Sequence, residues 1–277
     1  MSPPRVDTFR GGILFGVDGR PMMACSAASI IRKRASPTSP GVTIVELLVS
    51  LAVLSVLLAI ALPALRAVRA TAQDGASLAN IQSSARDLLT EANADGDRLP
   101  IATRPSNLRF GRQPGVGLSM PDGSELMFSW FAHVNAWPFV LVSRHGELHE
   151  SWYSPSNLDR EPGALMSSDY ILTQAAMADP SYWRRDAEQT PELLRPVRVG
   201  EFEHPSQKGL LVERTQTVLA RRPGKNEALV ARPIAFVDGH AQRRAIADAR
   251  PGVPNSLQGG FTRPIATTER GCLGYDY

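Results

Sequence analysis

The chain is expected to be an α+β protein. One long N-terminal helix, transmembrane and then amphipathic, packs on a globular domain built on an antiparallel β-sheet. Three observations predict this. Residues 41–65 are predominantly apolar, with a single ionisable side chain, a glutamate. Apolar residues then recur at helical spacing as far as Ala92. Beyond residue 98, short apolar runs alternate with turns rich in glycine and proline, the pattern of antiparallel strands.

The apolar stretch comes first. A helix needs about 20 predominantly apolar residues to cross a bilayer, and the mostly apolar stretch 42–65 is 24 residues long. No second stretch of this kind occurs, so the chain crosses once at most. Arg32, Lys33 and Arg34 precede it. Basic residues are retained on the cytoplasmic side, so the rest of the chain is expected to face outward. The only ionisable side chain in the stretch is Glu46. A carboxylate at the centre of a membrane helix costs roughly 2.5 to 3.5 kcal/mol. Glu46 stands near the cytoplasmic end, where a glutamate in a plain anchor snorkels to the interface.

The residues around Glu46 suggest more than a plain anchor. Gly41 is followed by four residues and then Glu46, at the head of an apolar helix behind a basic leader. This resembles the cleavage and methylation signal of type IV pilins and pseudopilins. The resemblance implies that a prepilin peptidase cuts between Gly41 and Val42 and methylates the new amino terminus. Glu46 then becomes the fifth residue of the mature chain, and Pro63 the twenty-second, where the family commonly carries a kinking proline. The departure is Val42, because the family prefers phenylalanine there. The resemblance also implies that the glutamate of one subunit meets the terminal amine of a neighbour. Opposite charges attract strongly in a low-dielectric slab, while either alone is costly, so such a pair fixes an axial stagger.

Residues 1–41 are rich in Arg, Ser, Pro and Gly and read as a processed leader, outside the fold. Met22 or Met23 are alternative starts to Met1. Cys25 follows Met-Ala in a faint lipobox echo, but no apolar region precedes it. A secretory signal is also a poor match, because the apolar run is too long and no small-residue cleavage site follows it. The leader carries six Lys/Arg and two Asp/Glu, a balance of +4, against +3 for the whole chain. The mature part is therefore at −1, and nothing in its composition points to nucleic acid. It retains one cysteine, Cys272, so no internal disulfide can form and the thiol is either free or intermolecular.

Pro63 is expected to kink the helix, since proline lacks the N–H and clashes with the preceding turn. The helix should continue beyond it. Leu78, Ile81, Ala85, Leu88 and Ala92 recur at three and four, one face of an amphipathic helix. Asp74-Gly75 is a weak patch in it, and Arg66, Arg69, Asp74, Arg86, Asp87 and Glu91 fall mostly on other faces. One helix over 42–94 results. Its two parts, 42–65 and 66–95, serve the membrane or neighbouring subunits and the globular domain respectively. This matches the lollipop plan of the pilin family. Turn formers at 93–100 end it. Asp95 and Asp97 are read as a turn, since no full calcium-loop pattern follows.

Residues 96–277 form the exported domain. Strands are expected over 125–131, 138–143, 198–202, 209–213 and 234–237. Asp238-Gly239 makes a hairpin, because both positions tolerate positive φ, and 240–245 returns. Helical pieces are expected over 169–178 and 181–188, and loops over 102–122, 154–165 and beyond Arg250. The run Phe236-Val237-Asp238-Gly239-His240 resembles a C-terminal motif of bacterial prepilin-like proteins. His204-Pro205-Ser206 and residues 210–213 resemble the strand before it. That pattern has a histidine where this chain has Ala228. Residues 100–195 resemble nothing identified.

No complete catalytic set is visible, and no cofactor or metal is expected. His145, Glu147 and His149 would line one face if extended, but the zinc-peptidase order places glutamate next to the first histidine. Asp238 and His240, with His204 or His133, lack a nucleophile and a Gly-x-Ser-x-Gly elbow. Gly115 and Gly117 lack the third glycine of a dinucleotide loop. The aromatic group Phe128, Trp130, Phe131, Trp137, Phe139, Trp152 and Tyr153 reads as core.

The functional expectation is structural rather than enzymatic. It is a pseudopilin-like subunit of a type II secretion or type IV pilus-like filament, held in the bacterial inner membrane with its C-terminal domain outside. Its expected partners are the prepilin peptidase, other pilin-like subunits, the assembly platform and the lipid bilayer. The alternative is a single-pass anchored binding module that uses the signal only for export.

Overall fold

The computed structural model describes residues 41–102, 105–157 and 168–277. The basic cluster Arg32, Lys33 and Arg34 lies outside the described residues, as do Met22, Met23 and Cys25 and most of the loop expected over 154–165.

The fold is α+β, with a long N-terminal helix and antiparallel sheets. Helix α1 runs over Ile44–Ala94 with Pro63 inside it. The chain divides within α1 into two compact units, one ending at Val53 and one covering Leu54–Tyr277. In the second unit the helix buries Asp74, Ser77, Ile81, Ser84, Ala85, Leu88 and Ala92. Steps of three and four keep these on one stripe. The expected stripe is confirmed from Ile81 onward. Its start is corrected: Leu78 is half-buried, whereas Asp74 is nearly inaccessible to solvent.

Side-chain bonds fasten this part of α1 to the domain. Asn80 donates to the Tyr153 carbonyl at 3.0 Å and Ser84 to the Ser151 carbonyl at 3.0 Å. Trp152 donates from Nε1 to Asp87 at 2.8 Å. Arg144 reaches both Glu91 and Asp95.

The first sheet has strands β1 (Pro105–Phe110), β2 (Gln113–Ser119) and β3 (Glu125–Ser129), antiparallel in that order. Helix α2 (His133–His145) follows. The second sheet orders β4 (Tyr170–Leu172), β5 (Gly209–Glu213), β6 (Arg232–Phe236) and β7 (Ala241–Arg244), again antiparallel. Between β5 and β6 lies the short helix α3 (Thr215–Arg221).

Several expectations are corrected. The run 138–143 belongs to α2. Every residue from Ala136 to Val142 is buried, so it shows no period, and a short apolar run does not tell helix from strand. The stretch 102–122, expected as loop, contains β1 and β2. Residues 198–202 form a 3₁₀ turn at Val199–Glu201, not a strand. There Glu201 accepts from the Arg198 N–H, and Gly200 N–H donates to Asp97. Residues 169–178 give β4 and a 3₁₀ turn at Gln174–Ala176, capped by Thr173. The piece at 181–188 is reduced to one turn, Pro180–Trp183, capped by Asp179. The β6–β7 hairpin is present, but only Gly239 takes positive φ, at 85°. Its geometry is the three-residue type with glycine at the left-handed position. The tail beyond Arg250 is irregular, yet Ile265, Ala266, Thr267, Cys272 and Asp276 are all buried.

Candidate functional site

The first candidate is the head of α1. Thr43 and Glu46 form a reciprocal cap. Glu46 Oε2 accepts from the Thr43 N–H at 2.9 Å and from its hydroxyl at 3.0 Å, and the Glu46 N–H donates back to Thr43 Oγ1 at 3.2 Å. This is the Thr-x-x-Glu box that satisfies helix N-terminal donors. A threonine three residues before a glutamate at the head of an apolar run is the sequence signature of this cap. The Ser50 hydroxyl donates to the Glu46 carbonyl at 2.7 Å.

Behind the cap the side chains are apolar and uncovered. Val42, Ile44, Val45, Leu48, Val56 and Ile60 are each at least 60% exposed. The most apolar window of α1 has mean hydropathy 2.7 and none of it is buried. This is one helix long and apolar enough to span a membrane. Pro63 withholds one backbone donor within it.

The second candidate was not visible in the sequence. It is a buried ionic cluster centred on Asp74. Arg221 Nε donates to Asp74 Oδ1 at 2.8 Å, while Arg222 and Arg243 reach Oδ2 at 2.5 and 3.0 Å. Arg221 also grips Glu213 through both terminal nitrogens, at 2.7 and 2.6 Å. Ser154 and Ser156 complete its bonds. Burial pushes the Asp74 carboxyl upward, but the hydrogen bond from Arg222 and the charges of Arg243, Arg221 and Arg222 outweigh it. The net effect holds Asp74 below the usual carboxylate range. Apart from Arg222 Nε, which is buried without a hydrogen-bond partner, the charged ends of these side chains pair with one another, and the cluster clamps α1 to α3 and β5.

The other candidate residues fall in separate places. His145 closes α2 and meets Glu91 at 2.8 Å, whereas the ring of His149 packs on Trp152. His240 pairs with Asp238 within the hairpin at 2.5 Å and stacks on Phe236. His204 packs edge-on to Tyr275. His133 is fully buried, accepting from the Ala102 N–H at 3.0 Å, with Nδ1 2.6 Å from the Trp130 carbonyl. Burial lowers its pKa to about 4, against the opposing bond to Trp130. Asp95 pairs with Arg144, and Asp97 sits at positive φ and accepts from Gly200. Among the described residues, no three His, Cys, Asp or Glu side chains gather as a metal site.

Comparison with protein-family models, with curated proteins and with solved structures gives no match in any of the three.

Proposed function

We propose that this chain is a pilin-like subunit of the pseudopilin kind, cut after Gly41 by a prepilin peptidase and held in the bacterial inner membrane before assembly into a short filament. The observation that carries this reading is the sequence of features at one helix head. Gly41 leads into a capped start with Glu46, followed by an uncovered apolar run long enough to span a bilayer. The role is structural, with no catalytic step. The domain stands on the periplasmic or extracellular side, and its partners are like subunits and the assembly platform. Assembly uses the charge of Glu46 against the terminal amine of a neighbouring subunit, and Pro63 relaxes the helix in the filament.

A second reading is a membrane-anchored binding module that uses the signal for export alone. It is favoured by a cleft of about 510 Å³ on the domain, lined by Arg214 and several glutamines.

Intact mass and N-terminal sequencing of the membrane-extracted protein, with and without prepilin peptidase, test the first reading. The expected result is a peptidase-dependent, N-methylated Val42. An uncut chain in both preparations rejects it.

A further inference from the structure

The cleft on the domain has the makings of a ligand site. Its walls come from β2, α2, β4, the start of α3 and the C-terminal tail, and no carboxylate lines it. Arg214 is the decisive residue. It is half-buried; its Nε is closed to solvent with no hydrogen-bond partner, as are Trp183 Nε1 and the Nε atoms of Arg222 and Arg232, and among the described residues no hydrogen bond or ion pair engages the Arg214 terminal nitrogens. Burial lowers its pKa, and Asp169 acts on it only as a nearby charge. The closed-off Nε is beyond a ligand's reach, so it is the terminal nitrogens of this half-buried cleft-lining guanidinium, which have no acceptor among the described residues, that are available to an anion.

Amides surround it. Gln113 uses its Oε1 to accept from the Phe131 N–H at 3.1 Å, which leaves its NH₂ for the cleft. Gln258 likewise accepts at Oε1 from Gln174 at 2.7 Å. Asn135 and the exposed Gln216 add further amides. At the rim Phe261 is 41% exposed. Arg263 also lines the cleft, but Thr215 and Glu227 already hold it. The cleft therefore offers one uncommitted guanidinium, several amides and an accessible aromatic ring.

We propose that this cleft binds a sugar carboxylate of the hexuronate class. Arg214 takes the carboxylate through paired N–H donors, the amides take the hydroxyls, and Phe261 covers the apolar face of the ring. A simple inorganic anion would use the guanidinium but leave the amides and the aromatic ring idle. The proposal does not depend on filament assembly.

The test is calorimetric titration of the full chain in detergent micelles with galacturonate, galactose, acetate and inorganic phosphate. Galacturonate is expected to bind, and Arg214→Met and Phe261→Ala are each expected to weaken it by about tenfold or more, about 1.4 kcal/mol. Thermal melts check that each variant folds. If Arg214→Met does not fold, the rim variant Phe261→Ala still decides. The proposal is overturned if galactose binds as tightly as galacturonate, or if acetate or phosphate does. It is equally overturned if galacturonate fails to bind at millimolar concentration, or if folded variants bind it unchanged.

Discussion

Arg221 holds Asp74 at 2.8 Å across 147 positions of sequence, with both side chains almost wholly buried. The link runs from the amphipathic part of α1 to the end of α3, and through Glu213 into the centre of the second sheet. Removing one partner of a buried pair leaves the other charge uncompensated, at about 3–5 kcal/mol. Asp74→Asn is therefore expected to lower the unfolding free energy of the domain, read from urea titration, by about that amount, with the midpoint falling accordingly. The sign of the pH effect follows from the depressed carboxyl. Its contribution is full above the ordinary carboxylate value of about 3.9 and is lost as pH falls through the lower folded value. Urea titrations at a series of acid pH values should show wild-type stability falling in that window, and Asp74→Asn should flatten the fall.

His133 gives a second, separable acid effect. It is neutral in the folded chain, with its pKa lowered to about 4, while the unfolded chain titrates near 6.5. Between these values the unfolded state binds more protons, so stability declines as pH falls from about 6.5 to 4. The full effect is about 3 kcal/mol, at about 1.36 kcal/mol per unit. Proton NMR of the imidazole is expected to show no titration of His133 above pH 5. A normal midpoint near 6.5 would contradict the buried geometry.

Cys272 is buried and free, and burial pushes its thiol up to about 11. Reactivity follows thiolate content and access, and both are low here. In the chain cut at Gly41, or in a Cys25→Ser background, a thiol reagent at neutral pH is expected to leave the native protein unlabelled and to label it at once in denaturant. Rapid labelling of the native protein, or a disulfide-linked dimer from native membranes, would show that the site opens.

The parts of the fold legible in the sequence were those with a period or a dedicated turn. The α1 stripe at Ile81, Ala85, Leu88 and Ala92 and the Asp238-Gly239 hairpin carry such signals, and β5, buried at every position, was legible only as a short apolar run opened by Gly209. The same lack of a period misled elsewhere. In α2 the run Trp137 to Val142 has no polar face to betray its period, and β4 is followed at once by buried, tightly capped turns. The Asp74 cluster was illegible for a different reason. A helical aspartate is ordinarily solvent-facing, and its three arginines, Arg221, Arg222 and Arg243, lie far along the chain, where no local pattern announces them. Arg214 was equally silent, since an orphan donor is defined only by what surrounds it in space.

Glu46 serves two purposes that substitutions can separate. In the single chain its carboxylate caps α1 through Thr43, while the proposed filament uses its charge against a neighbour's amine. Thr43→Ala removes the threonine half of the cap and keeps the charge, at a cost of about 1 kcal/mol of helix stability. Glu46→Gln keeps an acceptor for the cap and removes the charge. Cleavage after Gly41 is expected to proceed in both. Filament assembly, measured as sheared or cross-linked oligomer, is expected to survive Thr43→Ala and to be lost in Glu46→Gln. Equal loss in both variants would mean that the order of the helix head, rather than the charge, is what assembly requires. Normal assembly of Glu46→Gln would remove the charge pair from the account altogether.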